Sequence, residues 1–280
     1  MTIKRKNTQP SNVTPGARHE SPPIDITPVG EMPMFLAILA YGRSGTGKTT
    51  FLSTFPKPIL LLDIREKGTD SIANVEGVQV AKIETFQQLI DVYWYLKRGK
   101  HPYKTVGIDQ VTALQDLAIA QAKKEDGKDA SSPISKRDWG NAAGLLKQWF
   151  FNYRDLIDDN MHVAFLGHDR TTESEDTEEE QLDPSVGVRL MPSVAGTLYG
   201  MVKVIGNTFI RETFKVVDKR RVREVEYAMR LGPHAYYTTK TRSPVGVTAP
   251  NVLVNPTYDK VVAVIKGTYS EQATTTKQRK

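Results

Sequence analysis

A chain of 280 residues, 39% hydrophobic and 25% charged, can build the core of one large α/β domain with tails, which excludes wholesale disorder. With no cysteine, disulfides, thiolate zinc sites and cysteine nucleophiles are excluded and a reducing compartment fits; no apolar run nears the roughly 18 residues that cross a bilayer, and no apolar signal core opens the chain, so a cytoplasmic protein with no membrane partner is expected. The formal net charge of +6 suits nucleic acid and an ordinary basic globular protein equally.

Residues 1–31 are rich in Pro, Thr, Asn and Ser, with Lys4-Arg5-Lys6 near the start; they carry no apolar period and predict a flexible arm. Met34–Tyr41 is an apolar run, followed by a glycine-rich loop and a short helix ending before Pro56. Ile59–Asp63 and Val78–Ile83 are a second and third buried run, the latter leading into a helix from about Thr85 to Lys97. Thr105–Asp109 is a fourth, followed by a helix from about Thr112 to Lys124, and a long helical segment covers about Ser135 to Asp158. Met161–Gly167 is a fifth apolar run. Short apolar runs between helices indicate strands buried on both faces, hence a mostly parallel sheet. Phe209–Val217 and Val222–Leu231 alternate and predict a hairpin around Asp218-Lys219-Arg220, and Tyr258–Lys266 predicts a closing helix. The expectation is one α/β domain over 32–268, a mostly parallel sheet flanked by helices with a C-terminal antiparallel extension, then a flexible basic tail over 269–280.

Gly42-Arg43-Ser44-Gly45-Thr46-Gly47-Lys48-Thr49 matches the full phosphate-loop pattern, which average residue frequencies give a chain this long about once in a hundred. An apolar strand precedes it and a helix follows, as the mechanism requires. Backbone N–H groups from Gly42 to Thr50 can curl around phosphate oxygens at the positive end of the helix. Lys48 is placed to reach the β- and γ-phosphates of ATP and the Thr49 hydroxyl to ligate Mg²⁺. Asp109, ending an apolar strand, fits the second Mg²⁺ anchor; capping of the next helix is the alternative. Gln110 follows it where many ATPases carry a glutamate, so a base for water must come from elsewhere. Glu66 and His168, each just past a strand end, are candidates, and either could instead be an ordinary loop residue.

The pattern resembles the RecA/RadA-like ATPases, and most of all the small phage members of the Sak single-strand annealing type, from about Met34 to Lys266. Phe55-Pro56-Lys57-Pro58, then Leu60-Leu61-Leu62-Asp63 and Glu66-Lys67-Gly68-Thr69, resembles the segment that joins the phosphate-loop helix to the family's catalytic glutamate, with one extra residue between Asp63 and Glu66. Trp139-Gly140 opening a long helix is similar too. The resemblance implies that Glu66 is the base, that His168 stands at the γ-phosphate sensor, and that Lys240-Thr241-Arg242 is a paired basic finger presented to a neighbouring subunit's ATP. It further implies a homo-oligomeric ring or filament on single-stranded DNA, with a single-stranded-DNA-binding protein as a further partner, and the host cytoplasm as the location if the chain is phage-encoded.

Lys123, Lys124, Lys128, Lys136, Arg137 and Trp139 surround a Gly/Ser/Pro-containing loop that corresponds in order to a DNA-facing loop of RecA. Cations can track a single strand's backbone while a ring stacks on a base; a solvated loop with a packed tryptophan is the alternative. Residues 173–183, with seven acidic side chains, oppose DNA at the next loop. The leading expectation is a DNA-recombination ATPase; a small-molecule phosphotransferase and a non-catalytic ATP-switch adaptor remain open.

Overall fold

The computed structural model describes residues 27–28, 34–66, 68–172, 185–217 and 220–270. The acidic run at 173–183, most of the expected N-terminal arm and the tail beyond residue 270 lie outside the described residues.

In chain order the elements are β1 (Ala37–Tyr41), α1 (Lys48–Leu52), β2 (Ile59–Asp63), β3 (Val78–Lys82), α2 (Phe86–Lys97), β4 (Thr105–Asp109), α3 (Val111–Glu125), α4 (Lys136–Arg154) and β5 (His162–Gly167). There follow β6 (Asp169–Thr172), β7 (Ser185–Val188), α5 (Pro192–Met201), β8 (Val204–Val217), β9 (Arg220–Arg230), β10 (Lys240–Thr241), β11 (Val252–Val254) and α6 (Tyr258–Lys266). Among the described residues one sheet runs β11-β9-β8-β1-β5-β4-β2-β3, with β10 also pairing β8 and with β6 and β7 forming a separate ribbon. The six strands from β8 to β3 are parallel to their neighbours, and β9, β10 and β11 are antiparallel.

Strand parity divides the core. Leu39 and Tyr41 of β1, Leu60 and Leu62 of β2, Val106 and Ile108 of β4, and Val163 and Phe165 of β5 join one buried cluster with the apolar stripes of α2, α3, α4 and α5. The alternate residues face α1 and α6, where Phe55 meets both Phe51 and Tyr258 with ring centres 5.3 and 5.0 Å apart. Thr85 and Ser135 start α2 and α4 with reciprocal capping boxes to Gln88 and Asp138. The result is a mostly parallel, helix-flanked α/β sheet with an antiparallel extension at one edge.

Several elements differ from expectation. The third apolar run is not buried on both faces: among the described residues β3 pairs only with β2, and Val80 is 43% exposed. The long helix ends at Arg154; its last turn tightens into a 3₁₀ segment, Asp155–Asp159, closed by Asn160 in the left-handed region. β8 begins at Val204, before the alternating pattern, because its first residues pair in parallel with β1. β6, β7, β10 and β11 span two to four residues each, too short for a period to register. In α5 the stripe Val194, Ala195, Leu198 and Met201 is interrupted by Gly196 and Gly200, with Pro192 at the first turn.

Candidate nucleotide site

The loop after β1 is shaped by what lies against it. Gly42 continues the ladder, its N–H donating to Gly167 O at 3.1 Å. A Cβ on Gly42 would come within 2.2 Å of Thr208 O, so only glycine lets the loop lie against β8. Gly47 sits at φ 82°, in the left-handed region, and precedes α1 with no side-chain cap. The first N–H groups of α1 are therefore left for an anion. Lys48 is buried, and its Nζ donates to Gly42 O at 2.9 Å and Arg43 O at 2.8 Å. Burial pulls this ammonium below the usual lysine range.

Asp109 comes to the same place through the period of two. Gly107 lies under α1 so closely that a Cβ would meet Leu52 Cδ2 at 2.3 Å. Two residues on, Asp109 points to the same side and accepts from Thr49 Oγ1 at 2.7 Å. Burial raises the Asp109 carboxyl above the usual carboxylate range, against the opposing pull of the Thr49 hydroxyl and Lys48. A hydroxyl and a carboxylate held together beside an open helix start could hold a divalent cation carried on a nucleotide's phosphates.

Past β2 the chain stays on the sheet for one more residue, Ile64 N donating to Asp109 O at 2.6 Å. Arg65 then adopts φ 64°, and this left-handed turn takes up the extra residue and returns Glu66 to the pocket. Glu66 Oε1 accepts from Gln110 Nε2 and lies 3.2 Å from His168 Nε2. His168 is steadied by its N–H donating to Thr112 Oγ1 at 3.3 Å. Gln110 Oε1 is buried without a hydrogen-bond partner, an acceptor left to a bound species. Ser44, Gly45, Gly47, Lys48, Thr49, Thr50, Glu66, Asp109, Gln110 and His168 thus line a single cavity. Thr46 does not: its hydroxyl is turned away, bonded to Arg43 O at 2.8 Å and Thr208 Oγ1 at 2.7 Å, and ties the loop to β8.

Two lining residues, Ser71 and Tyr227, were not anticipated. Tyr227 of β9 also faces the cavity, with its ring 3.0 Å from where a Gly47 Cβ would lie. Alternation identifies the strand that carries it, but only the tertiary fold brings that strand to the phosphate loop.

Lys240 and Arg242 stand elsewhere. β10 pairs with Val204 and Ile205, level with Ile38 and Leu39 of β1 and below the phosphate loop. Lys240 Nζ donates to Tyr199 O at 2.5 Å and Gly200 O at 3.2 Å, and Arg242 NH2 donates to Gly200 O at 2.9 Å. Both close the C-terminal carbonyls of α5. Burial, with Arg242 beside it, pulls the Lys240 ammonium down.

The basic loop also divides. Lys123 is buried and donates to the carbonyls of Ala130 and Ser132, so it holds the loop from inside. Lys128 binds Asp138 at 2.6 Å and Asp126 at 3.5 Å, and Arg137 lies 3.4 Å from Asp126. Lys128 and the Ser135 hydroxyl hold the Asp138 carboxyl well below the usual range. Lys124, Lys136, Arg137 and the Trp139 ring are at the surface.

The curled loop with its buried lysine and the hydroxyl–carboxylate pair at a strand end define a P-loop nucleotide-binding domain. Residues 34–243, well over half of the chain, match the AAA domain family, and the chain belongs to that family as an AAA-type P-loop ATPase domain. Among solved structures it is similar to a KaiC-like protein from the hyperthermophilic archaeon Pyrococcus horikoshii, at 10% identity over 70% of this chain and 77% of that one, with a TM-score of 0.37. It is also similar to the cytoplasmic domain of EssC, at 16% identity over 61% of this chain and 30% of that one, with a TM-score of 0.26. At these scores neither likeness bears on the assignment, which the loop, the topology and the family match carry. No curated protein matches the chain. Among the described residues no helix is long and apolar enough to cross a membrane.

Proposed function

We propose that this domain hydrolyses ATP and that the hydrolysis serves work on single-stranded DNA, by annealing or strand pairing, in a homo-oligomeric ring or filament. The observation that carries the hydrolytic part is the convergence of Glu66, Gln110 and His168 on one wall of the cavity that holds Lys48, Thr49 and Asp109. Lys48 turns from its two carbonyls to the β- and γ-phosphate oxygens. Thr49 and Asp109 would hold Mg²⁺, which when bound neutralises charge on those phosphates. The Glu66 carboxylate takes a proton from water as the water oxygen bonds to the γ-phosphorus. The bond from that phosphorus to the bridging oxygen breaks, and its electron pair leaves with ADP. His168 and Gln110 orient the Glu66 carboxylate and are placed to register whether the γ-phosphate is present.

The DNA part rests on the resemblance to annealing ATPases, supported by the surface cations of the 124–139 loop. Lys240 and Arg242, outside the cavity and bonded to the α5 carbonyls, would leave these carbonyls to act as a finger on a neighbour's ATP, a role that rests on the resemblance. The test is turnover with and without single-stranded DNA, together with DNA binding at low salt. Stimulation by DNA supports the reading; unstimulated turnover with no DNA binding refutes it.

A further inference from the structure

The β8–β9 hairpin is longer than the sheet it grows from. β1 pairs only with Val204–Asn207 of β8, and β11 only with Ala228–Arg230 of β9. Among the described residues, from Arg211 and Glu226 outward the two strands pair in the ladder only with each other. The result is a two-stranded ribbon running about 24 Å beyond the sheet at ~3.4 Å per residue. Such a ribbon is marginal by itself and needs something to pack on.

The register shows what it offers. Ile210 stands opposite Tyr227, Glu212 opposite Val225, and Phe214 opposite Arg223. One face therefore carries Ile210, Phe214, Val225 and Tyr227, which are 43, 52, 46 and 43% exposed. On that face the Arg221 guanidinium lies 4.2 Å over the Phe214 ring, and Arg223 pairs with Glu212 at the surface. The opposite face carries the Arg211–Glu226 pair, Thr213 and Glu224, and the exposed Val222 and Arg220. The apolar face runs inward through Tyr227 to the phosphate loop.

We infer that this face of the β8–β9 ribbon binds single-stranded DNA. Exposed rings and guanidiniums on one extended face are what a single strand requires: π-faces for bases and charge for the backbone. The charge decides between occupants, since two guanidiniums against one carboxylate favour a polyanion over a second apolar protein face. Phe214 stacks on a base with Arg221 along the phosphates, and Arg223 turns from Glu212 to join it. Tyr227, on the same strand and against Gly47, places the track next to the nucleotide. The inference rests on the single-stranded-DNA reading above and gives it a surface beside the nucleotide cavity, in addition to the surface cations Lys124, Lys136 and Arg137.

The experiment is anisotropy of a fluorescein-labelled oligodeoxythymidylate across a salt series, with the full chain and with Phe214→Ala and Arg221→Ala/Arg223→Ala. Light scattering of each variant runs beside it. These side chains are exposed, so melting temperature and ATP binding should match the parent. Phe214→Ala should weaken binding ~10-fold or more. The double arginine variant should lower the slope of log affinity against log salt by about 1.4, or ~0.7 per lost phosphate contact on a single strand. If the parent binds DNA and both variants bind equally well, the ribbon assignment is wrong and the DNA reading survives. If the parent binds no DNA at low salt, both fall. If the variants alter self-association while DNA affinity stays unchanged, the face belongs to a second copy of the chain and the inference is overturned.

Discussion

Replacing Lys48 with Met tests the phosphate loop with a magnitude that follows from its surroundings. In the nucleotide-free chain the Lys48 ammonium is buried and rests on the carbonyls of Gly42 and Arg43. Arg43 O keeps a second donor in Thr46 Oγ1 at 2.8 Å, and methionine fills the same slot without a charge to desolvate. The nucleotide-free stability of Lys48→Met should therefore stay within about 1–2 kcal/mol of the parent. Binding is different. Two charge-assisted bonds to phosphate contribute about 1.5–3 kcal/mol each. Giving up the carbonyl bonds offsets about half, so the variant should bind ATP roughly 100-fold more weakly. At an ATP concentration near 100 times the parent's Kd, the parent gains about 2.7 kcal/mol and the variant about 0.4 kcal/mol. For a domain of this size those gains correspond to melting shifts of about 5–11 °C and about 1 °C. Scanning fluorimetry with Mg²⁺ and ATP reads the difference. An undiminished shift in a folded Lys48→Met protein would refute the placement of this lysine on the phosphates.

Asp109→Asn keeps the hydrogen bond from Thr49 but removes the anionic ligand; the Mg²⁺ dependence of ATP binding should collapse, by about 10-fold or more in affinity, as titration calorimetry with and without EDTA would show. Lys240→Ala and Arg242→Ala should each cut turnover while leaving ATP binding intact, and each should lower the melting temperature slightly because α5 loses a closing donor; loss of ATP binding would refute the finger assignment. His162 accepts from Leu36 N at 3.1 Å and faces Tyr258, and burial pulls its imidazole from 6.5 down to about 4. The unfolded chain therefore binds this proton more readily between those values, so stability should fall as pH drops from about 6.5 to about 4, by up to about 3 kcal/mol, and level off below. Urea unfolding across that range checks it, and His162→Asn should flatten this part of the profile.

What the sequence disclosed follows from physical range. The phosphate loop, Asp109 and the strand run Thr105–Asp109 were legible because each is a local pattern: glycines at fixed spacing, or an apolar run ending in a carboxylate. The closing helix Tyr258–Lys266 was read to the residue because its stripe is strong and Thr257 and Gly267 bound it. Glu66 needed the resemblance, since the left-handed turn at Arg65 that swings it into the cavity carries no glycine to announce it. Tyr227 could not be read at all, because its role depends on a contact between β9 and Gly47 some 180 residues apart. The cations of the 123–139 loop looked alike in sequence; only burial and partners separate Lys123 and Lys128 from Lys124, Lys136 and Arg137.

The most direct measurement is phosphate release from pre-bound ATP by the parent and by Glu66→Gln, with ATP affinity measured on the same samples. The Gln side chain can still meet Gln110 and His168 but cannot take a proton from water. ATP affinity should therefore be retained and the rate should fall by about 100-fold or more. A Glu66→Gln protein that binds ATP and releases phosphate at the parent's rate would contradict the account of this site.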